Sequence, residues 1–524
     1  MADDYKDKDK HEDLKVLHGM GYAQELSRSM SKFSNFAISF SIICILSGGI
    51  NSFAQSISSV GGAAAGIGWI AGCILSGMFA LSMAQIASAF PTAGGLYHWG
   101  SILGNRFVGW LTAWLNLLGL ITVLGAINIG TAYFFAGTFG SMFGFTGTDT
   151  QVVVFVAVIT VLQAIFNHVG IKATTFLTDI SGWIIFASTA VLVLACLYFA
   201  PAIDISRLWT FTNYSGEVGG NVFPRSENMG YLFLLSLLWP VFTITGYDAS
   251  AHTSEETKNA AWSVPRGIVT SVFWSSLAGW IMVCAITLAI PDLTVAAGQG
   301  WSMFYLTMDA ILPAGLKNVI YLGILITQLL CGLATVTSAS RMLFAFSRDD
   351  GLPMGSKALS TVSPKYRTPV NAIWTATVLA ILYVLLALSL KVVDPVTGVA
   401  TSIYVIVVNS TLVFLFLSCT VPLVAGMIAF GGPKWPQPGP WAMSAGVYKL
   451  VTVLSVVGMA VILFIATAPP NERVLWVVAG FIVLAIVVWF AFENRRFQGP
   501  PTGKRIASRR AAIAAAEAAV GEKG

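Results

Sequence analysis

The stretch "FTITGYDASAHTSEE", Phe242–Glu256, places a glycine, an acid and several hydroxyls inside an otherwise apolar, membrane-length segment. It follows directly on "YLFLLSLLWPV", residues 231–241, which suit the interior of a bilayer. Hydrocarbon does not tolerate unpaired backbone N–H and C=O groups, because each of them costs several kcal/mol there. An interruption at this depth therefore needs protein, water or a ligand to supply partners for the backbone.

The composition of the chain is that of a polytopic membrane protein. Of its 524 residues, 56% are hydrophobic and only 10% are charged, whereas soluble domains carry roughly 25% charged residues. The net charge of +5 is too small to indicate a nucleic-acid partner. All six cysteines fall in apolar stretches without metal-ligand spacing, so we interpret them as packing residues.

Twelve apolar stretches are long enough to cross a bilayer core of about 30 Å, which takes about 20 helical residues. The sequence therefore predicts an all-α protein with twelve transmembrane helices and the lipid bilayer as its surroundings. The predicted spans are 36–58, 66–89, 107–137, 151–168, 180–200, 229–254, 267–290, 317–345, 370–390, 401–430, 448–467 and 473–492.

The basic residues predict the orientation of these spans. With a cytoplasmic N-terminus, 24 of the 29 Lys and Arg lie in internal loops and tails, and the outer loops hold Arg207, Arg225, Lys317, Lys391 and Arg473. Cytoplasmic loops of membrane proteins carry this excess of Lys and Arg. An even number of spans then places both termini in the cytoplasm, and we expect the plasma membrane as the location.

A second interruption lies in the first predicted span, "FAISFSIICILSGGINSFAQSI", residues 36–57, where Ser47, Gly48 and Gly49 stand near the middle. Interrupted helices in corresponding positions of two halves point to the binding site of a secondary transporter. Spans one and six are five spans apart, which fits two inverted five-helix repeats followed by two further helices. The alternative is that these residues mark ordinary kinks or close packing, for which Gly and Pro are common in membrane helices.

The free backbone at such interruptions suits a zwitterion. N–H groups at the start of a half-helix, together with its positive dipole end, favour a carboxylate, and free carbonyl oxygens favour an ammonium group or a sodium ion. The sequence predicts N–H donors at Ser47, Gly48 and Gly49, and carbonyl acceptors at Cys44, Ile45, Phe242, Thr243 and Ile244. Gly246 lets a ligand approach the backbone closely.

Four motifs in order resemble the amino acid–polyamine–organocation permease superfamily, and specifically its amino acid/choline transporter branch. They are "LSGGI" at 46–50, "FPTAGGLYHWG" at 90–100, "GYDASAHTSEETKNA" at 246–260 and "SRDDGLP" at 347–353. The resemblance implies a leucine-transporter-type fold that works by alternating access. Its expected parts are tails 1–35 and 493–524, a first repeat 36–200, a second repeat 229–430, and two extra helices in 448–492.

The resemblance also implies roles for individual residues. Ser47, Gly48, Gly49 and Ile50 would bind carboxylate, and Phe242 would be an aromatic gate over the substrate. The carbonyls of Phe242 and Thr243 would lie near the amine, with Tyr247 and Asp248 just beyond.

The acids near the second interruption admit two interpretations each. Asp248 starts the inner half-helix, so it is either an N-cap or a ligand or proton-carrying group, because acids at membrane depth are usually functional. Glu255 and Glu256 form either an inner gate with Lys172, Arg266 or Arg348, or part of a charged surface.

The sequence does not decide which ion, if any, is coupled to transport. Thr337 and Ser338, in the eighth span, offer hydroxyls of the kind that hard cations favour, and with Cys44 and Ile45 they are the candidates for a sodium site. Hydroxyls also satisfy backbone in membrane helices, so sodium, protons and uncoupled exchange all remain. No other metal and no organic cofactor is expected.

These observations predict a secondary carrier for a small amine-bearing solute, an amino acid or a γ-aminobutyrate-like zwitterion. Choline or a polyamine is the alternative substrate in the same fold, and a membrane nutrient sensor that does not transport is the alternative of another class. The sequence has no GxxxxGK[ST], HExxH or GxSxG motif, so ATP-driven transport and an intramembrane enzyme are not expected.

Overall fold

Every regular element that the structure describes is helical, apart from two isolated β-bridges, Met30–Thr257 and Phe430–Trp435. The structure is a computed structural model that describes residues 7–389 and 403–520. The first six residues of the predicted tail 1–35, the segment 390–402 of the predicted second repeat and the last four residues of the tail 493–524 lie outside the described residues. All six cysteines are buried and free, as expected of packing residues.

The α-helices lie in three consecutive parts of the chain, residues 7–199, 229–429 and 445–519. The first group contains α1 (Asp7–Gly19), α2 (Lys32–Ile43), α3 (Ile45–Asn51), α4 (Ala54–Val60), α5 (Trp69–Ala89), α6 (Leu96–Trp99), α7 (Arg106–Thr138), α8 (Gly140–Phe143), α9 (Asp149–Val169) and α10 (Ile171–Phe199). The second group contains α11 (Met229–Ser236), α12 (Leu238–Thr243), α13 (Ala249–His252), α14 (Ala260–Ala289), α15 (Leu293–Gly298), α16 (Met303–Ile311), α17 (Ala314–Arg348), α18 (Ser356–Leu359), α19 (Val370–Ser389) and α20 (Ile403–Ala429). The third contains α21 (Ala445–Thr467), α22 (Glu472–Val488), α23 (Asn494–Arg496), α24 (Lys504–Ser508) and α25 (Arg510–Ala519).

Eleven helices in the described part of the chain are long and apolar enough to cross a membrane. The predicted sixth span, 229–254, is not among them, since it is divided into the short helices α11, α12 and α13. By length and composition the structure therefore supports eleven spans in the described residues, the first of which, Lys32–Asn51, joins α2 and α3. The predicted count of twelve adds the sixth span, which is divided into shorter helices.

The first interruption lies at Cys44, so the prediction that placed it at Ser47–Gly49 is wrong by three residues. Helix α2 ends at Ile43, Cys44 has φ 17° and ψ 84°, and α3 begins at Ile45. The N–H groups of Ser47 and Gly48 both donate to the Cys44 carbonyl, at 2.7 and 3.2 Å. These bonds close the first turn of a new helix, so the two glycines stand inside α3 and the chain unwinds before them.

The second interruption lies where the sequence predicted it, around Gly246. Helix α12 ends at Thr243 and α13 begins at Ala249, and the residues between them are not helical. Gly246 has φ 95°, and a Cβ atom there would lie 2.2 Å from Cγ2 of Ile42. Only glycine fits this position, both for its backbone conformation and for its close contact with α2.

The two broken helices pack side by side and run in opposite directions. Helix α3, which follows the first interruption, lies against α12, which precedes the second, and α2 lies against α13. The chain therefore runs through the two interruptions in opposite directions. The two interruptions are adjacent, since a Cβ atom on Gly48 would lie 2.9 Å from Cα of Thr243. The long helices α5, α7, α14, α17 and α20 pack around this pair and bury it.

Candidate substrate site and gate

Buried backbone groups without partners meet where the two helices are interrupted. Within the described residues, the carbonyl oxygens of Thr243 and Ile244 receive no hydrogen bond from backbone or side chain. Ile45 and Leu46 are the first two residues of α3, so their N–H groups have no acceptor within that helix. Acceptors from one broken helix and donors from the other therefore lie in the same buried region.

The structure places all the predicted substrate-binding residues in this region. Ser47, Gly48, Gly49 and Ile50 lie on α3, Phe242 and Thr243 end α12, and Ile244, Gly246, Tyr247 and Asp248 form the unwound segment. Every one of these residues is buried. The close approach of Gly48 to Thr243 brings the two predicted sets together.

Some of the backbone groups in the region already have partners. The Phe242 carbonyl accepts from Oγ1 of Thr245 at 2.7 Å, and the Gly49 carbonyl accepts from Nε1 of Trp239 at 3.0 Å. An amine at the Phe242 carbonyl would therefore use its second lone pair, since a carbonyl oxygen can accept two hydrogen bonds. Thr243 and Ile244 are the acceptors that are free to bind a cationic group.

Aromatic side chains cover the site at the end where α3 and α12 lie. The rings of Phe242 and Tyr404 are 6.4 Å apart at 87°, and Trp301 packs on Tyr404 at 6.1 Å. Oη of Tyr404 hydrogen-bonds to Oγ of Ser52, one residue beyond α3, at 3.0 Å. Sequence reasoning identified Phe242 alone, because Tyr404 and Trp301 are distant in sequence and belong to no motif.

Asp248 stands at the N-cap position of α13, but its side chain caps no backbone N–H group. Oδ2 lies 3.2 Å from Nδ2 of Asn116 and 3.3 Å from Nε2 of His252. The capping interpretation of Asp248 is therefore wrong, and the carboxylate is part of a buried polar group with Asn116 and His252. The spacing of Asp248 and His252, four residues apart around α13, is a sequence signal that would have found the histidine.

The candidate ion ligands have different hydrogen-bond partners. Near the first interruption, helix α17 contributes Cys331, whose Sγ donates to the Ile42 carbonyl at 3.2 Å, and Gln328, whose Nε2 donates to the Leu46 carbonyl at 3.1 Å. Thr337 instead donates to Oδ1 of Asn167 at 2.7 Å, and Ser338 to the Ala334 carbonyl at 3.5 Å. Neither hydroxyl hydrogen-bonds to Cys44 or Ile45.

Glu255 and Glu256 are buried in bidentate ion pairs, so the surface-charge interpretation is wrong. Arg348 holds Glu255 at 2.8 and 3.0 Å, and Arg341 holds Glu256 at 2.9 and 3.0 Å. We call these four residues the gate cluster. Of the three predicted cations, Arg348 alone pairs with Glu255 or Glu256 in the described residues, and Arg341 was not predicted.

A second polar layer covers the gate cluster. Oη of Tyr22 donates to Oδ2 of Asp349 at 2.6 Å, and Nε2 of His98 lies 3.3 Å from the same oxygen. The Arg348 guanidinium lies 3.9 Å from the ring centroid of Tyr22. The tails therefore close over the gate cluster, since Glu517 in turn accepts from the Gln24 N–H group at 2.9 Å.

The charges of the gate cluster and of the second polar layer favour the ionised form of Glu255 and Asp349. Burial alone would raise the pKa of Glu255, but Arg348 and the Ala93 N–H group hold that pKa below its ordinary value of 4.5. Burial likewise opposes ionisation of Asp349, yet the hydrogen bond from His98 and the charge of Arg348 lower its pKa. Each carboxylate stabilises the fold only while it is charged.

The stability of the gate cluster is expected to depend on pH. The folded-state pKa of Glu255 lies below its unfolded value of 4.5, so its ion pair stabilises the fold above pH 4.5 and is lost as the pH falls further. We expect Glu255→Gln to lower the free energy of unfolding by about 3 kcal/mol at neutral pH, with a smaller difference in acid. Denaturant titration across pH measures this, with the exposed Glu217→Gln as control; a difference independent of pH would contradict the expectation.

A family model described as "Amino acid permease" matches residues 30–492. The match includes both interruptions, the aromatic cover and the gate cluster. It leaves out most of the two tails.

Individual relatives agree with the family model. "Amino-acid permease BAT1" of Arabidopsis thaliana is 30% identical over 92% of this chain and 95% of the relative. "Amino-acid permease 2" of Neurospora crassa is 28% identical over 93% and 89%, and the "GABA-specific permease" of Saccharomyces cerevisiae is 28% identical over 94% and 86%. With a family model that spans nearly the whole chain and a relative at this level of identity, the chain belongs to the amino acid permease family.

Proposed function

We propose that the protein is a secondary active transporter that carries an amino acid or a γ-aminobutyrate-like zwitterion across the plasma membrane by alternating access. The observation that carries the proposal is the pair of adjacent, antiparallel helix interruptions with unpaired buried backbone groups. Permease relatives named for amino acids and for GABA support this substrate class. The moving parts would be the two inverted repeats, 36–200 and 229–430.

The two interruptions would bind opposite ends of the solute. The carboxylate would lie against the start of α3, with Ser47, Gly48 and Gly49 on the next turn, because N–H groups and the helix dipole favour an anion there. The amine would take the carbonyls of Thr243 and Ile244. Choline and polyamines lack the carboxylate and would leave the donors at Ile45 and Leu46 unpaired, which disfavours them.

Both termini are proposed to be cytoplasmic, since that orientation places the excess of Lys and Arg inside. The gate cluster is then the inner gate, and Phe242 with Tyr404 is the outer cover. With both ends closed around buried site residues, this arrangement corresponds to an occluded state between outward and inward opening.

Uptake by the purified protein in vesicles tests the proposal. We expect saturable uptake of one or more amino acids or γ-aminobutyrate, accelerated by preloading the vesicles with the same solute. The panel should include choline and polyamines, with and without sodium and proton gradients. Binding without any flux would favour the nutrient sensor, and strong choline uptake that amino acids do not inhibit would overturn the substrate class.

Asp248 tests whether protons are coupled to transport, because its carboxylate is buried beside His252. Asp248→Asn keeps the size of the side chain but removes the titratable group. We expect uptake to fall about tenfold, the cost of a weakened hydrogen bond to a charged group, and to lose its dependence on pH.

The matched control is Asp309→Asn, which changes a half-exposed acid on α16. Uptake should be measured against pH at fixed sodium. An unchanged pH profile in Asp248→Asn, with uptake that requires sodium, would rule out the proton role.

A further inference from the structure

A groove of about 540 Å³ lies between α2, α10 and α14, where Phe33 and Trp274 are exposed on the surface of the helical bundle. Helix α2 contributes Lys32, Phe33 and Phe36, α10 contributes Phe186, and α14 contributes Arg266 and Trp274. Neither the predicted transport site nor the gate cluster uses this groove. It combines two cations with aromatic walls.

The two cations have no acidic partner within residues 7–389 and 403–520. Among the residues that the structure describes, neither Lys32 nor Arg266 has a carboxylate oxygen within 4.0 Å. The Arg266 guanidinium lies 4.7 Å from the ring centroid of Trp262. Asp179 of α10 faces the neighbouring polar cavity, where it accepts from Oγ of Ser34 at 3.0 Å. The mouth of the groove is therefore positively charged.

Phe36 and Trp274 lie farther along α2 and α14 than the two cations do. Lys32 opens α2, and Phe36 follows it by four residues, about 6 Å along the axis at 1.5 Å per residue. On α14, Trp274 follows Arg266 by eight residues, about 12 Å. Phe186 joins the two walls, since its ring lies 6.4 Å from that of Trp274 and 4.6 Å from that of Phe40.

We propose that this groove binds one anionic phospholipid from the leaflet on the side of the N-terminal tail. The phosphate would lie between Lys32 and Arg266, and an acyl chain would follow Phe36, Phe186 and Trp274 into the bilayer. Basic pockets between transmembrane helices bind anionic head groups for the same electrostatic reason. The lipid would bridge the N-terminal half of the first broken helix to α14.

Native mass spectrometry of the full chain in neutral detergent tests the proposal. The protein is titrated with phosphatidylserine or with phosphatidylcholine of identical acyl chains, and the first bound lipid is quantified. We expect clear preference for phosphatidylserine. Lys32→Ala/Arg266→Ala should weaken the binding of phosphatidylserine about thirtyfold, because two interfacial cations are lost. Lys32→Arg/Arg266→Lys keeps both charges and should bind phosphatidylserine as the wild type does.

The control Lys357→Ala/Lys449→Ala removes two exposed cations outside the groove and should bind as the wild type does. Monodisperse elution of each variant establishes that it is folded. Equal binding of both lipids by the wild type, or an unchanged affinity in Lys32→Ala/Arg266→Ala, would overturn the proposal. Glycerophosphoserine, which has no acyl chains, should compete poorly; competition as strong as that of the lipid would overturn the role of the aromatic walls.

Discussion

Gly48→Leu is expected to abolish uptake while the protein still inserts into the membrane. Even a Cβ atom on residue 48 would lie 2.9 Å from both Cα and Oγ1 of Thr243, which is closer than real Cβ contacts allow. A leucine would force α3 away from α12, and the carbonyl and N–H groups of the two interruptions would no longer face one solute. Uptake of radiolabelled substrate into vesicles measures the loss.

The control for this substitution is Gly480→Leu, in α22, where a Cβ atom would meet no other atom within 4 Å. Gly480→Leu should transport at the wild-type rate, which separates the contact at residue 48 from the general effect of a leucine in a membrane helix. Gly48→Ala should give partial uptake with weakened substrate affinity. Wild-type uptake by Gly48→Leu would show that α3 and α12 need not approach each other at this point.

Arg341→Ala is expected to be the most destabilising single substitution in the gate cluster. The side chains of Arg341 and Glu256 are both fully buried, so removing the guanidinium leaves a carboxylate without a partner inside the protein. Breaking a buried pair in this way costs about 3–5 kcal/mol. The free energy of unfolding in micelles, measured by denaturant titration, should fall by this amount.

Two further variants distinguish the effect of an unpaired buried charge from other causes of lost stability. Lys317→Ala breaks an exposed ion pair with Asp309 at the other end of the same helix, α17, and should cost about 0–1 kcal/mol. Arg341→Leu/Glu256→Leu removes both charges, so it should recover most of the stability lost in Arg341→Ala. If the double variant is as unstable as the single one, the loss comes from packing and not from an unpaired charge.

The gate cluster and the predicted site are joined through α13. Oγ of Ser39 on α2 donates to the Tyr247 carbonyl at 2.9 Å, and Nδ2 of Asn35 donates to the Ser250 carbonyl at 3.0 Å. These bonds tie α2, the N-terminal half of the first broken helix, to α13 and the residue before Asp248. An opening of the gate would therefore move Tyr247 and Asp248 together with Glu255 and Glu256.

The sequence by itself determined the helical membrane fold and the second interruption. A long apolar run forms a helix in hydrocarbon because a helix satisfies the hydrogen bonds of its own backbone. This holds for each run independently of the other runs. Gly246, followed at once by polar residues, likewise marks a local break. The four permease-like motifs are also local, so they identified the family before any tertiary contact was known.

Only the tertiary structure decided where the first helix breaks and which groups the acids meet. The Gly48–Gly49 pair looks like a break in sequence, but it allows close packing against Thr243, and the chain unwinds at Cys44 instead. Asp248 and Glu256 take partners from distant parts of the chain, Asn116 and Arg341. A side chain's partner depends on which helices pack around it in three dimensions, and this information is not contained in the residues next to it.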